Sequence, residues 1–218
     1  MPTRHPVPGT PAPIRQERAV EVYANRFGHL YNDEVVFPGG TEGRYLRWQW
    51  SQQGVVVVPV GPQGMALLPM YRYPVGAVSL EFPRGGCVPG EAPEVAAARE
   101  LAEESGLVAA SVRSIGLLHA DTGLIGTQTH VCLADVHPVQ RSSATPDASE
   151  SVAEPVWASR DTMTEWLQEG RITCGITIAA FAVATAAMAG TGGPFSSSPA
   201  VPPHPTPVAP PAPGAVRG

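Results

Sequence analysis

Glu100, Glu103 and Glu104 stand at i, i+3 and i+4. On an α-helix that spacing puts three carboxylates on one face. Like charges so placed destabilise a helix by about 0.2–0.5 kcal/mol per pair, and a bound cation relieves that cost. Carboxylate oxygens suit hard divalent ions such as Mg²⁺ or Mn²⁺, which commonly also hold substrate phosphates. For three glutamates alone, a plain solvated acidic face is the default reading. The charge around them is concentrated, however. Residues 85–107 hold five carboxylates and one arginine, so most of the net charge of −5 lies in 23 residues. Arg99, beside the acidic face, can reach back to Glu91 and tie the preceding loop to the helix; its plainer reading is a surface arginine.

The elements around this face are legible in the local pattern. A helix is expected over Pro93–Ser105. Pro93 suits the first turn, Glu94 the positive end of the helix dipole, and Gly106 the C-terminal cap. Val95, Ala98, Leu101 and Ala102 recur at helical spacing and are the expected apolar face. A glycine-rich loop, Arg84-Gly85-Gly86, precedes it. Upstream, Glu34–Phe37 and Arg44–Trp50 read as strands around a Pro38-Gly39-Gly40 turn. Val55–Val60 is a continuous β-branched run, a buried strand, and Met65–Tyr71 returns after Gly61-Pro62-Gln63-Gly64. Val78–Phe82 is a further short strand. Downstream, Val112–His119 and Gln128–Ala134 read as strands, 137–151 as a polar loop and Val152–Trp157 as a short strand. Helices are expected near Asp161–Gln168 and Ile176–Met188. Strands and helices alternate without a regular βαβ rhythm, which predicts an α/β fold of the α+β type, a mixed sheet sandwiched by helices.

The segment reads Gly85, five residues, Glu91, seven residues, then Arg99-Glu100-Leu101-Ala102-Glu103-Glu104-Ser105-Gly106-Leu107. It resembles the Nudix box, G-x5-E-x7-R-E-U-x-E-E-x-G-U with U aliphatic, at every specified position. A weaker resemblance extends over Val55–Met188. The resemblance implies an α/β/α Nudix sandwich in which the box forms a loop, a helix and a loop. It implies that Glu100, Glu104 and often Glu103 ligate Mg²⁺ or Mn²⁺, joined by a backbone carbonyl of Arg84 or Gly85. It implies that Glu91 and Arg99 pair structurally, with Gly85 and Gly106 shaping the box. The implied reaction is attack of water on one phosphorus of a nucleoside diphosphate linked to another moiety.

The flanks narrow this. Met70-Tyr71-Arg72-Tyr73-Pro74-Val75-Gly76 and Leu80-Glu81-Phe82-Pro83-Arg84-Gly85 resemble the region before the box in ADP-ribose and ADP-sugar pyrophosphatases. There Arg72 and Glu81 correspond to residues in or near the substrate cleft. By the residues alone, Arg72 is also a strand-edge charge and Glu81 also a buried partner of an arginine. A loop glutamate serves as general base in that group; Glu150 corresponds to it, with Glu154 in reserve, and the loop Arg141–Ser149 would supply mobility. One departure is His119-Ala120-Asp121-Thr122-Gly123, where the group carries an S-P-G-like turn. His119 and Asp121 either line the pocket or, for Asp121, close an Asx-type turn. The resemblance also implies a homodimer through a region like Tyr31–Trp50.

Composition bounds the remaining classes. The 218 residues include 25 Pro and 23 Gly, and 14 of the prolines fall in residues 1–13 and 194–218. The expected layout is a disordered segment 1–13, a strand region 14–50, a Nudix domain 51–190 and a disordered Pro-rich tail 191–218. No basic run exists, so no nucleic-acid partner is expected. The chain has 14 Arg and no Lys, which excludes a lysine Schiff base and a Walker-type lysine. Three cysteines without a C-x-x-C motif read as reduced thiols of a cytoplasmic protein. No secretory signal is visible at the N-terminus. Ile176–Met188 is too short to span a membrane and is interrupted by Thr177 and Thr185, so a buried helix is expected and no membrane partner. The expected activity is that of an ADP-ribose or ADP-sugar diphosphatase. A hydrolase of (d)NTPs or GDP-sugars, or a non-catalytic nucleotide sensor, are the competing readings.

Overall fold

A computed structural model describes residue 9 and residues 11–141 and 152–190, the side chains of 137–141 excepted. Apart from residues 9 and 11–13, the two expected disordered ends lie outside the described residues, as does Glu150. The chain divides into two compact units after Ser51.

The first unit is a four-stranded antiparallel sheet. Strands β1 (Arg15–Arg18), β2 (Glu21–Asn25) and β4 (Glu42–Trp50) all pair with β3 (Gly28–Val36). The β3–β4 hairpin turns where Pro38-Gly39-Gly40 predicts, with Gly40 at φ 84°. β1 and β2 were not expected as separate strands. Their sequences, RQER and EVYAN, are exposed throughout and lack an apolar alternation.

The second unit is a mixed sheet of seven strands. β5 (Gly54–Gly61) is central, antiparallel to β6 (Gly64–Arg72) and parallel to β10 (Gln128–Arg141). β10 pairs in turn with β9 (Leu107–His119), and β6 with β11 (Val156–Ala158) and β7 (Ala77–Glu81). The run in β5 shows why both faces are covered. Val56 and Val58 pack with Phe82, Met163, Ala180 and Ala184, whereas Val55 and Val57 pack with Ala96, Ala97 and Leu101. Helix α1 (Pro93–Ser105) therefore covers one face, and α2 (Arg160–Gln168) and α3 (Gly175–Ala189) the other. This is the expected sandwich of helices around a mixed sheet.

Several local expectations are corrected. Arg84–Gly86 is a strand, β8, paired antiparallel with Val56, Val55 and Gly54 of β5, and not a free loop. The buried face of α1 is Ala96, Ala97 and Leu101; Val95 is 58% exposed. Small alanines let the helix approach the sheet closely, and the valine points away. β10 runs to Arg141, into the segment expected as loop. Val152 makes only an isolated bridge to Met70, and the strand proper begins at Val156. Helix α3 buries one face, Thr177, Ala180 and Ala184, and leaves Ile178 and Met188 exposed. Among the described residues no helix is long and apolar enough to cross a membrane. The three cysteines are free, and burial pushes the Cys132 thiol up to about 12.

Candidate active site

The local sequence of α1 builds the acidic face. Pro93 stands in the first turn, alanines favour the helix, and Gly106 at φ 66° ends it by donating its N–H to the Ala102 carbonyl at 3.0 Å. Once Ala97 and Leu101 face the sheet, Glu104 follows them on the inner side and is 4% exposed. Its carboxylate accepts the Arg84 backbone N–H at 3.0 Å. The Glu100 side chain is 13% exposed and the Glu103 side chain 42%. The three therefore grade from buried to solvent along one face.

Arg99 joins this face to the preceding turn. Its Nε and Nη2 donate to the Glu91 carboxylate at 3.1 and 3.0 Å, and Nη2 donates to the Gly86 carbonyl at 2.8 Å. Glu91 also accepts from the Val88 N–H at 3.0 Å. The Arg99 bond, then the Val88 bond, lowers the Glu91 pKa. Nη1 of Arg99 donates to Glu100 at 2.7 Å and to Glu103 at 3.1 Å. Burial nevertheless pushes the Glu100 pKa up, outweighing the Arg99 bond and the Gly86 N–H; the Glu103 charge adds to the rise. Arg99 itself is raised, first by Glu91. The two partners thus shift for different reasons: the guanidinium gains from the carboxylates around it, while Glu100 loses solvent to burial by more than Arg99 returns.

A divalent cation would favour the charged form of that buried carboxylate. The donors are hard oxygens, and a Cβ on Gly85 would run into the Glu100 carboxyl group, so the backbone of β8 lies against the acidic face. These residues fit Mg²⁺ or Mn²⁺ in kind. They do not form a closed cage: among the described residues no three His, Cys, Asp or Glu converge on one point. Arg99 Nη1 sits between Glu100 and Glu103, and Glu104 faces the Arg84 N–H.

A second cluster lies where β6, β7 and β8 meet. Glu81 is 2% exposed and takes Arg72 Nε at 3.0 Å and Nη2 at 2.8 Å, a bidentate pair. Arg84 Nη2 stands 3.1 Å from the same carboxylate. Both guanidinium side chains are 29% exposed. Burial drives the Glu81 pKa up, but the Arg72 bonds and the Arg84 and Arg72 charges prevail and hold it below its ordinary value. Arg72 is raised, first by Glu81, and Glu104 adds to that shift. One buried carboxylate thus aims two guanidiniums, with the acidic helix within electrostatic reach.

Glu154 is exposed ahead of β11. His119 and Asp121 are exposed at the end of β9, and Asp121 accepts the Gly123 N–H at 2.9 Å, the Asx-type turn. The Arg84 side chain was missed in the sequence, where only its carbonyl was singled out. Its signal was an arginine three residues after Glu81 across a proline.

The NUDIX domain family matches residues 50–173, more than half of the chain. The chain belongs to that family of hydrolases acting on pyrophosphate bonds. It is similar to the ADP-sugar pyrophosphatase of Mus musculus, 35% identical over 92 residues, which is 40% of this chain and 42% of that protein's length. The ADP-ribose pyrophosphatase of Bacillus subtilis (strain 168) is 28% identical over 61% of this chain and 71% of its own. A CMP-5'-(N-acetyl-N-hydroxy-3-aminopropyl)phosphonate hydrolase of Streptomyces rubellomurinus is 29% identical over 78% and 80%. Among solved structures, an ADP compounds hydrolase superposes with a TM-score of 0.73 at 20% identity, covering 84% of this chain and 98% of that one, a likeness of fold.

Proposed function

We propose that the protein hydrolyses the diphosphate of ADP-ribose or an ADP-sugar, giving AMP and a sugar phosphate, with a divalent cation on α1. The observation that carries this is the pairing of opposite clusters: three carboxylates on one helix face beside two guanidiniums held by Glu81. Glu100, Glu103 and Glu104, with the Arg84 or Gly85 carbonyl, would hold Mg²⁺ or Mn²⁺. When bound, the cation supplies charge stabilisation and lowers the pKa of a bound water. Arg72 and Arg84 bind non-bridging phosphate oxygens, and Glu81 keeps both aimed. Glu91 and Arg99 hold the turn against the helix. Glu150, with Glu154 in reserve, takes the proton of the attacking water. The names of the mouse and Bacillus relatives support the adenosine diphosphate substrate. The protein acts as a homodimer through Tyr31–Trp50.

The Streptomyces relative favours a second reading, a CMP-linked substrate. Purified protein with Mg²⁺ is therefore offered ADP-ribose, ADP-glucose, GDP-mannose, NADH, dNTPs and a CMP-linked phosphonate. AMP with ribose 5-phosphate is the expected product pair. Turnover confined to dNTPs, GDP-sugars or the CMP compound rejects the adenosine assignment, and tight binding without turnover makes the protein a sensor.

A further inference from the structure

Chain topology creates a weak point beside the candidate site. β7 pairs with β6, ending where Glu81 faces Leu68, and β8 pairs with β5, starting where Arg84 faces Val56. Phe82 and Pro83 carry the chain from one strand's edge to the other's. Pro83 has no N–H, and its carbonyl accepts from Val57 at 2.9 Å. The Phe82 N–H falls in neither ladder. It is deep in the core, because Phe82 is 0% exposed. A buried N–H without an acceptor is costly, so something must meet it.

Thr177 meets it. Its Oγ1 accepts the Phe82 N–H at 3.1 Å across 95 residues of sequence. Thr177 is 0% exposed, in the first turn of α3, a helix otherwise built of Gly, Ala, Ile, Val, Phe, Met and one further Thr. The residue before the bonded Phe82 is Glu81, which aims Arg72 and Arg84. The second residue after it is Arg84, whose N–H holds Glu104.

We infer that Thr177 is a positioning residue of the active site. It pins the Phe82 crossing to α3, and through it sets the Glu81 carboxylate and the Arg84 N–H relative to α1. The role rests on the proposed function, since those groups serve substrate and cation there. A misplacement of about 1 Å at such groups costs up to about 100-fold in rate. A valine in place of the threonine keeps the volume and removes the acceptor.

The test compares Thr177→Val, Thr177→Ala and Thr177→Ser with Ala184→Gly, a control at a buried position on the same helix face two turns on. Each is assayed with Mg²⁺ and ADP-ribose well below its Tm, and amide exchange is read at Phe82 and Arg84. The expected result is an about tenfold fall in kcat/KM for Val and Ala, near wild-type activity for Ser, and none of the loss in Ala184→Gly. Faster exchange at Arg84 in Val and Ala should accompany it. If kcat/KM in both Val and Ala stays within about twofold of wild type, or Ala184→Gly falls as far, the role is overturned. If the wild type hydrolyses none of the offered compounds, the functional reading fails separately. Exchange at Arg84 then decides alone: faster in Val and Ala but not in Ala184→Gly supports the tether, and unchanged overturns it.

Discussion

At the scale of single residues, the two buried carboxylates of the candidate site do opposite things. Glu104 is buried on the helix face, where the Arg84 N–H donates to it, and Glu81 is buried under two guanidiniums. Glu104→Gln keeps the shape and an acceptor for the Arg84 N–H but removes the charge that a cation needs. We expect a fall in kcat of at least about 100-fold with little change in Tm; near-normal steady-state kinetics would sink the ligand assignment. Glu81 behaves as a stability element that titrates. Its folded pKa lies below the ordinary 4.5, so the native state binds fewer protons than the unfolded one there. The stabilisation is present above that value and is lost as pH falls through the lower folded pKa. Glu81→Gln should cost about 2–3 kcal/mol at pH 7, the low end for a broken buried pair because both arginines reach solvent. Urea unfolding should show that gap closing as pH falls below about 4, and a gap constant with pH contradicts the pairing. Glu81 was legible in sequence only as two alternatives, since burial is a property of the fold around it.

At the scale of elements, α1 could be read from sequence to the residue, because proline, alanine run and glycine are all local signals. β8 could not. Arg-Gly-Gly carries no strand propensity, and its pairing is imposed by β5. The buried face of α1 was misread for a related reason: periodicity cannot say which stripe of a mostly alanine helix a sheet will choose. Thr177 left no signal beyond interrupting an apolar run, since its partner lies 95 residues away. β8 also yields a prediction. A Cβ at Gly85 meets the Glu100 carboxyl group, whereas one at Gly90 meets nothing, although φ there is 84°. Gly85→Ala should displace Glu100 and lower kcat/KM at least about tenfold. Gly90→Ala should cost about 1 kcal/mol of backbone strain and leave kcat/KM intact. Equal activities for the two variants would remove Gly85 from the site.

At the scale of the whole molecule, the first unit stands out. In residues 15–50 the buried positions are Gly28, Asp33 and Val35, so one large apolar side chain is fully covered in a four-stranded sheet. Asp33 is held by Arg47 at 2.6 Å and Gln16 at 2.7 Å, which fixes the strands to each other but leaves apolar surface in the open. Alternation along β4 puts Glu42, Arg44, Leu46, Trp48 and Trp50 on one face. The second half of that face is apolar, with Leu46 48% and Trp50 45% exposed and Trp48 edge-on to Trp50 at 5.3 Å. A sheet face of that kind requires another layer. A second copy of this chain, as the family resemblance implies for Tyr31–Trp50, would supply it. Sedimentation equilibrium of the wild type should give a dimer at micromolar concentration. Leu46→Glu with Trp50→Glu would set carboxylates into that layer and should give a folded monomer, its far-UV circular dichroism unchanged. A wild type that sediments as a monomer, or a double variant that stays dimeric, would take β4 out of the interface.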